Sequence, residues 1–544
     1  MNVRLCDEVV GAEFGDQRLN RRLVKVVEEL GASPPLSIPA ATDRRAEMEA
    51  AYRFFDNDKV SPQKILQPHI DATLERITQC DLVLLVQDTT ELDLTRPTQQ
   101  VRGAGPMDCD ARRGGFVHPL IAFNEAGVPL GTVWQKTWAR ETIETSLSAA
   151  QKNRRRQETP IEQKESLRWI EGLRAARDVA AACPQTTCVC VSDSESDIYE
   201  LFSEPRANAA RSADAVRDSG DGPSSAPAVH LLIRAGQTRS TETGDWLKNA
   251  RAGKCLFKSS LQVSARRAKI KATTHRREQS REARVADVET RATTVALQPP
   301  YRFDRKLPPV VVNVILVEEP HPPAGCEPIQ WLLATTLPID TLQQVQKIVE
   351  AYCLRWQIEI YFRTLKSGCR VEQRQFETLP RCLNCLAVYA IIAWRVMYLC
   401  RLGRECPDLD CEVVFSPSEW QSVYAVLHHG ELPQQHPRLN EMIRMVASLG
   451  GYVLRQQTEP GPQTLWTGLQ RMHCFSLAWT AFGPDTQKLF NIKNLCGTMS
   501  PEGGSETSDS EFPGSAFLKA TSRDRPFPKS RSSTSTLPRR VNSQ

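Results

Sequence analysis

The sequence predicts an α/β fold, and three observations carry that prediction. Two short apolar runs, residues 82–86 and 188–191, have the length and composition of buried strands, and an aspartate follows each of them. Residues 342–366 repeat apolar side chains at helical spacing and place charges between them. At 544 residues the chain is too long for a single compact core, so we expect two to four domains.

Composition narrows the class of protein. The net charge is only +5, so any nucleic-acid binding must depend on local basic clusters. The 17 cysteines are scattered and no signal pattern opens the chain, which predicts reduced thiols in a cytoplasmic protein. Cys382 and Cys385 have the spacing of half a zinc site, but no second cysteine pair with such spacing accompanies them, which argues against a zinc site. The longest apolar run, 385–394, is far short of the ~20 residues of a membrane span.

Residues 1 to about 75 are predicted to be helical. A first helix, 17–30, has an apolar side and a basic side, and a second helix covers 44–55. Basic helices of this type can follow a phosphate backbone, although a solvated basic face is as common. The basic side chains of the first helix are Arg18, Arg21, Arg22 and Lys25.

From residue 81 the pattern becomes α/β. After the strand that ends at Asp88, we expect a hairpin (116–123 and 128–138), a basic linker (152–156), a helix (161–182) and the strand that ends at Asp193. His118 is predicted to be a structural core histidine rather than a site residue. We expect a flexible loop at 203–228 and then a β-rich insertion with strands at 229–234, 256–265, 309–317 and 329–335. A basic stretch at 266–284 is either a solvated loop or, as we favour, a segment that follows a phosphate backbone.

The segment 340–366 is predicted to be a helix that carries chemistry. Asp340 and Gln343 form its expected capping box. At ~100° per residue, four polar side chains project within roughly 60° of one another and place a carboxylate between two cations. An ordinary ion pair four residues apart would explain part of this pattern. The four side chains are Tyr352, Arg355, Glu359 and Lys366.

Two strand-end aspartates and one helix-borne glutamate form a candidate metal site. Carboxylate oxygens suit Mg²⁺ or Mn²⁺, and a pair of such ions supports phosphoryl transfer. The order Asp88, Asp193, Glu359 is typical of nucleic-acid-cutting enzymes with a ribonuclease-H-like core.

Three ordered motifs resemble the bacterial cut-and-paste DDE transposases of the insertion-sequence-four family, which includes the transposon-five transposase. The family signature is Tyr, two residues, Arg, three residues, Glu, six residues, Lys, and this chain has it from Tyr352 to Lys366. Gln-Asp-Thr-Thr around Asp88 and Ser-Asp-Ser-Glu-Ser-Asp-Ile-Tyr from Ser192 resemble the first and second catalytic motifs. The resemblance runs from Gly15 to about position 470.

The resemblance implies a ribonuclease-H-like core with a β-rich insertion, flanked by helical N- and C-terminal domains. We expect an end-binding domain at 1–75 and a catalytic core at 76–402, with the insertion at about 203–340. A helical dimerisation region at 403–485 and a disordered tail at 486–544 follow. C-terminal helices are expected at 383–402, from Ser416, at 437–449 and at 462–479.

The resemblance also implies a mechanism. Asp88, Asp193 and Glu359 would be both the catalytic residues and the ligands of two Mg²⁺ ions, with Mn²⁺ as a substitute. The enzyme would nick the element's end, form a hairpin and join the freed end to target DNA. Its partners would be double-stranded DNA, in the form of terminal repeats and target, and a second protomer in a homodimer; we expect it in the cytoplasm, at the nucleoid when DNA is bound.

Four residues are expected to contact DNA in this resemblance. Arg355 and Lys366 would hold phosphates, and Tyr352 would bond to the backbone. Trp331 matches a tryptophan that stacks on a flipped base of the hairpin, although an aromatic residue in a strand is more usually core.

Two other functions stay open from the sequence. One is a nuclease with the same core and no strand transfer, which would need neither the Tyr352 to Lys366 pattern nor Trp331. The other is a non-enzymatic DNA-binding regulator derived from an inactive copy, which the three intact carboxylates disfavour.

Overall fold

The computed structural model describes residues 4–483 of the chain. Within that range it leaves out residues 43, 110, 142–147, 205–228, 264, 266–268, 271–276, 279–281, 430–431 and 455–457. The predicted tail from 486 lies outside the described residues. So do most of the loop predicted at 203–228 and most of the basic stretch predicted at 266–284.

Helices form the N-terminal region, as predicted. The Asp16 side chain accepts a hydrogen bond from the Arg18 N–H and starts the first helix, which buries Leu23, Val26 and Leu30. Ser61 and Pro62 start the fourth helix in the same way, with a side-chain cap and a proline in the first turn. The helices are α1 Gln17–Ala32, α2 Ile38–Ala41, α3 Arg45–Phe55 and α4 Pro62–Ile77.

A mixed sheet forms the core. The strands are β1 Leu82–Gln87, β2 Thr90–Asp93, β3 Gly105–Pro106, β4 Arg113–Asn124, β5 Pro129–Trp138, β6 Thr187–Ser192 and β7 His230–Arg234. Across the sheet, the five longer ones are ordered β5, β4, β1, β6, β7; β4 is antiparallel to both of its neighbours, β5 and β1, while β1, β6 and β7 are parallel. This is a ribonuclease-H-like core, as predicted from the sequence.

The pairing of β1 with β6 positions the two aspartates. Val86 pairs with Val191 in parallel register, and Asp88 and Asp193 each lie two residues farther along. Both therefore leave the same edge of the sheet. The helices of this region are α5 Ala149–Glu158, α6 Leu167–Ala182 and α7 Tyr199–Ser203.

The β-rich insertion is confirmed, and it continues the core sheet through the pairing of β15 with β7. It contains three of the predicted strands, at 256–265, 309–317 and 329–335, and also β13, which the sequence analysis missed; the fourth predicted strand, at 229–234, is β7 of the core. The elements are β8 Ser240–Thr241, β9 Gly244–Asp245, α8 Trp246–Ala252, β10 Cys255–Val263, β11 Lys269–Ile270, β12 Arg277–Glu278, β13 Arg284–Leu297, β14 Val310–Glu318 and β15 Gln330–Thr335. Arg284, at the end of the predicted basic stretch, pairs with the buried Glu319.

The C-terminal helices surround one long apolar helix. By length and composition α11 could cross a membrane, but 89% of its most apolar window is buried among other elements, which identifies it as a core helix. Ser416 and Glu419 form the predicted capping box of α12. The helices are α9 Leu342–Leu354, α10 Gln357–Arg363, α11 Leu379–Glu405, α12 Pro417–His428, α13 Leu439–Leu449 and α14 Pro462–Phe482.

Two local predictions were wrong. The basic linker predicted at 152–156 lies inside α5, because Ser148 and Gln151 form a capping box that starts a helix there. The capping box predicted at Asp340 and Gln343 lies one residue later, at Thr341 and Gln344.

A buried polar cluster joins the first residues of the chain to the core. Glu8 accepts hydrogen bonds from His69 Nδ1 at 2.6 Å and from the Arg76 guanidinium at 2.8 and 3.0 Å. His69 Nε2 accepts from the Thr132 N–H at 3.0 Å, and Arg76 Nε donates to the Leu130 carbonyl at 2.6 Å. The cluster therefore ties the N-terminus to α4 and β5 within one compact unit.

Candidate active site

Asp88 and Asp193 leave neighbouring strand ends and are held by local hydrogen bonds. Asp88 is nearly buried and accepts from the Thr89 N–H at 2.7 Å. Asp193 accepts from the Glu195 N–H at 2.8 Å and caps a short helical turn. Arg355 Nη1 lies 3.0 Å from Asp88 Oδ2 and forms an ion pair with it.

Negative charge accumulates at this edge of the sheet. Burial raises the pKa of the Asp88 carboxyl to about 7, and the charges of Asp193 and Glu359 add to the rise, while Arg355 and the Thr89 N–H act against it. Asp193 and Glu359 thus each lie close enough to Asp88 to disfavour its ionised form. An added cation would relieve that repulsion.

The helix predicted through residue 366 is interrupted, so that part of the prediction was wrong. α9 ends at Leu354, and Arg355 and Trp356 form a turn before α10. The turn arises because the N–H groups of both residues bond to carbonyls three residues back, rather than four. A π-helical segment, Thr364–Gly368, follows α10.

Three of the four residues of the helix pattern lie together. Arg355 Nη1 is 3.9 Å from Glu359 Oε1 as well as 3.0 Å from Asp88, and its guanidinium lies 6.0 Å from the Tyr352 ring centre. Trp331 packs edge-on against Tyr352, with ring centres 6.1 Å apart. Contacts therefore run from Trp331 in the insertion, through Tyr352 and Arg355, to the carboxylate of Asp88.

Lys366, the last residue of the helix pattern, lies beside a glutamate. It lies in the π-helical segment, and its Nζ is 3.5 Å from Glu372 Oε1, which also accepts from the Asp93 N–H. This ion pair joins the π-helical segment to the short 3₁₀ turn Val371–Gln373.

The donor set suits a divalent cation in its chemistry. Carboxylate oxygens are the ligands that Mg²⁺ and Mn²⁺ prefer, and such an ion would offset the burial and the like charges that raise the pKa of Asp88. In the part of the chain that the structure describes, no three His, Cys, Asp or Glu side chains lie close enough together to hold one ion. Arg355 instead supplies the positive charge beside Asp88.

Sequence reasoning missed Arg168. Its Nε donates to Thr89 Oγ1 at 2.7 Å and its Nη2 to Glu195 Oε2 at 3.1 Å, so it contacts the segments after both aspartates. Its position in the sequence carries no signal of this role, since an arginine in a helix is usually solvated. His118 is buried, as predicted, and bonds to Thr89 rather than to either aspartate.

Asp197 was also missed, although it lies within the second motif. The carboxylate is buried, accepts from the N–H groups of Gly236 and Gln237, and pairs with Arg239. It therefore anchors the segment after Asp193 to the start of the insertion. The density of acidic residues after Ser192 was the available signal.

Comparison with known proteins identifies three domains. Residues 4–60 match a transposase DNA-binding domain, residues 228–393 match a transposase DDE domain, and residues 391–480 match the dimerisation domain of the Tn5 transposase. The matched DDE range contains Glu359 and begins after Asp88 and Asp193. Among solved structures, a piggyBac transposase synaptic complex with hairpin DNA is 9% identical, with a TM-score of 0.32 over 90% of this chain and 78% of that chain.

The three matched ranges together span more than half of the chain. They support DNA binding and dimer formation, and a DDE domain supports an enzyme that cleaves and transfers DNA strands and that generally depends on divalent metal ions. With the ribonuclease-H-like strand order, they show that the chain belongs to the Tn5-like DDE transposases.

Proposed function

We propose that this protein is a cut-and-paste DNA transposase that excises an insertion sequence and joins it to target DNA, with Asp88, Asp193 and Glu359 as its catalytic triad. The observation that carries the proposal is electrostatic. Asp88 and Asp193 lie at the ends of adjacent parallel strands. Burial of Asp88, together with the charges of Asp193 and the helix-borne Glu359, raises the pKa of the Asp88 carboxyl to about 7. A site of this kind is unfavourable without a cation and suited to holding one.

The three carboxylates would hold two Mg²⁺ ions, with Mn²⁺ as a substitute. When bound, the ions would activate the attacking water or 3′-hydroxyl and stabilise the leaving oxygen. The ion pair between Arg355 and Asp88 must break before the Asp88 carboxylate can bind an ion, because Arg355 Nη1 lies 3.0 Å from Asp88 Oδ2. A DNA phosphate is the natural exchange partner, because a guanidinium binds phosphate and carboxylate in the same forked geometry.

Lys366 is suited to a similar exchange. Its ammonium group now lies 3.5 Å from Glu372, and the lysine side chain is about a quarter exposed, so an approaching phosphate can reach it. Tyr352 is buried between Trp331 and Arg355, and its hydroxyl would orient the arginine or bond to the DNA backbone. These residues position the DNA strand, and the carboxylates act at the scissile phosphate.

A cleavage assay tests the proposed function. In Mg²⁺, on DNA that carries the element's own ends, the intact protein should produce nicks and then hairpins, and Glu359→Gln should produce neither while it still binds the ends. Glu350→Gln is the matched control, because Glu350 is an exposed glutamate on α9. End binding without cleavage by the intact protein would favour the inactive regulator, and nicks with no hairpin or strand transfer would favour the simple nuclease.

Trp331 should act after the first nick. Stacking of a base on an aromatic ring contributes ~1–3 kcal/mol, so Trp331→Ala should slow hairpin formation roughly 5- to 150-fold and leave the nicking rate nearly unchanged. Trp331→Phe keeps an aromatic face and should recover most of the hairpin rate. An equal loss in both steps would instead assign Trp331 a packing role against Tyr352.

The remaining parts of the proposal concern organisation. Residues 1–75 bind the element's ends, 76–402 form the catalytic core, 403–485 pair two protomers in a synaptic homodimer, and 486–544 form a tail. The protein acts in the cytoplasm, at the nucleoid when it holds DNA. Crosslinking of the protein on end DNA should give a dimer, and a monomer at every protein concentration would contradict this arrangement.

A further inference from the structure

A buried chain of hydrogen bonds passes behind Asp88 and involves residues that the proposed mechanism leaves unused. Arg168 Nε donates to Thr89 Oγ1 at 2.7 Å, Thr89 Oγ1 lies 2.8 Å from His118 Nδ1, and His118 Nε2 lies 3.0 Å from Gln87 Oε1. Gln87 and Thr89 are the two sequence neighbours of Asp88. The chain therefore holds the backbone on both sides of the first aspartate.

The direction of every bond in this chain follows from Arg168. A guanidinium has only donors, so Thr89 Oγ1 accepts from it and turns its own proton towards His118 Nδ1. Nδ1 is then an acceptor, and the neutral imidazole carries its proton on Nε2, which donates to Gln87 Oε1. The Gln87 amide in turn donates to Cys190 Sγ at 3.2 Å, and Cys190 lies in β6.

Arg168 also reaches the second aspartate's segment. Its Nη2 donates to Glu195 Oε2 at 3.1 Å and its Nη1 to the Glu165 carbonyl at 3.0 Å. The guanidinium lies 5.2 Å from the Trp169 ring centre, and the side chain is only 12% exposed. One rigid, nearly buried group thus contacts the residue after Asp88 and a residue two positions after Asp193.

Close packing restricts the movement of the side chains in this chain of hydrogen bonds. A Cβ on Gly172 would lie 2.1 Å from Gln87 Oε1, so the close approach of α6 requires a glycine at this position. His118 has no exposed surface and packs edge-on against Trp169, with ring centres 4.7 Å apart. Neither Gln87 nor His118 can move without disturbing α6.

We propose that Arg168, Thr89 and His118 are positioning residues that fix the separation between Asp88 and Asp193, and that this separation sets how tightly the two carboxylates bind metal. None of the three contacts the carboxylates' proposed ions. The inference rests on the proposed function for its metal, and on the hydrogen bonds above for its geometry.

The decisive comparison is Thr89→Val against Thr89→Ser. Valine keeps the shape and removes the hydroxyl that links Arg168 to His118, while serine keeps the hydroxyl. We expect Thr89→Val to weaken Mn²⁺ binding to the DNA-free protein at least tenfold, measured by electron paramagnetic resonance, and to raise the Mg²⁺ concentration needed for half-maximal nicking by a similar factor. Thr89→Ser should match the wild type in both, and end-DNA affinity should change less than twofold in either variant.

A second pair of variants tests Arg168 itself, the first donor of this chain of hydrogen bonds, and leaves Thr89 and His118 in place. Arg168→Lys keeps the charge but loses the forked donor geometry, and it should weaken Mn²⁺ binding as Thr89→Val does. Arg140→Ala is the matched control, because Arg140 pairs with Glu165 and is about a third exposed. Circular dichroism establishes that each variant is folded.

The outcomes separate this inference from the proposed function. Wild-type Mn²⁺ binding in both Thr89→Val and Arg168→Lys overturns the positioning role, whether or not the wild-type protein cuts DNA. Absence of cleavage by the wild type, with Mn²⁺ binding that still depends on Thr89, overturns the transposase proposal and leaves the positioning role intact. If Thr89→Val does not fold, the Arg168→Lys comparison decides.

Discussion

Asp88→Asn should abolish DNA cleavage and, at the same time, raise the free energy of unfolding of the metal-free protein at pH 8. Loss of this proposed metal ligand would remove several kcal/mol of transition-state stabilisation, so we expect cleavage to fall by roughly a thousandfold or more, with end binding retained. The gain in stability arises because burial and the charge of Asp193 raise the pKa of Asp88 from 3.8 to about 7, which makes the ionised carboxylate unfavourable in the folded protein.

The sign of the pH dependence follows from the direction of that shift. Between about pH 4 and pH 7 the folded protein binds the Asp88 proton more tightly than the unfolded chain does, so the wild type loses stability as pH rises through this range. A shift of about three pKa units corresponds to roughly 4 kcal/mol. Asparagine carries no charge, so the stability difference between Asp88→Asn and the wild type should grow over this range and level off above about pH 8.

Urea unfolding in EDTA, from pH 5 to pH 8.5, measures this difference. Asp56→Asn is the control, because Asp56 is an exposed aspartate whose pKa is lowered by its hydrogen bond to Arg381, and the substitution should bring no gain. A stability difference for Asp88→Asn that does not change with pH would show that the Asp88 carboxylate is not held in the unfavourable environment described here. In saturating Mn²⁺ the wild type should instead be more stable to urea than Asp88→Asn, since we expect only the wild type to bind the ion well.

The positions of the two aspartates were predictable because strand composition and strand direction are local properties. A short apolar run that stops at an aspartate, followed later by another, predicts two strand ends, and parallel pairing of β1 with β6 brings them to one edge. The contacts between Arg355, Tyr352 and Glu359 were predictable for a similar reason, because they lie within one turn or two of each other.

Other features depend on contacts that sequence spacing does not encode. The turn at Arg355 keeps the apolar spacing of a helix, so periodicity passes through it unchanged, and the sequence predicted one helix where the structure has two helices and a π-helical segment. Arg168 becomes important only when α6 packs against the strand ends, 79 residues from Thr89 along the chain. β13 did carry a signal, the alternation of buried Ala286 and Val288 with exposed neighbours, and a count of period-two matches would have found it.

Glu8→Ala should have the largest effect on stability among substitutions away from the active site. Glu8 is 3% exposed and accepts bonds from His69 and Arg76, so its removal leaves a partly buried cation and a buried imidazole without their acceptor. Breaking a buried pair from one side costs about 3–5 kcal/mol. Glu47→Ala is the control, because Glu47 pairs with Arg22 and Lys25 nearer the surface and should cost far less.

The same cluster has a defined pH window. Burial alone would raise the pKa of Glu8, but the hydrogen bonds from His69 and Arg76 outweigh it and lower that pKa to about 2 from 4.5. The stability that Glu8 contributes is therefore complete above about pH 4.5 and is lost as pH falls towards 2. Burial lowers the pKa of His69 more than its contact with Glu8 raises it, so protonation of His69 opposes folding as pH falls below 6.5.

Glu8→Gln isolates the charge of this cluster, since glutamine keeps the shape and can accept one hydrogen bond. Its cost in unfolding free energy should be roughly 3 kcal/mol at pH 7 and should shrink as pH falls below 4.5, while that of Glu47→Gln should stay small throughout. Limited proteolysis should cut near the N-terminus of Glu8→Ala first, because the cluster joins those residues to α4 and β5. If Glu8→Ala costs no more than Glu47→Ala, the N-terminal residues are held by the apolar contacts of Val9 and Phe14 instead.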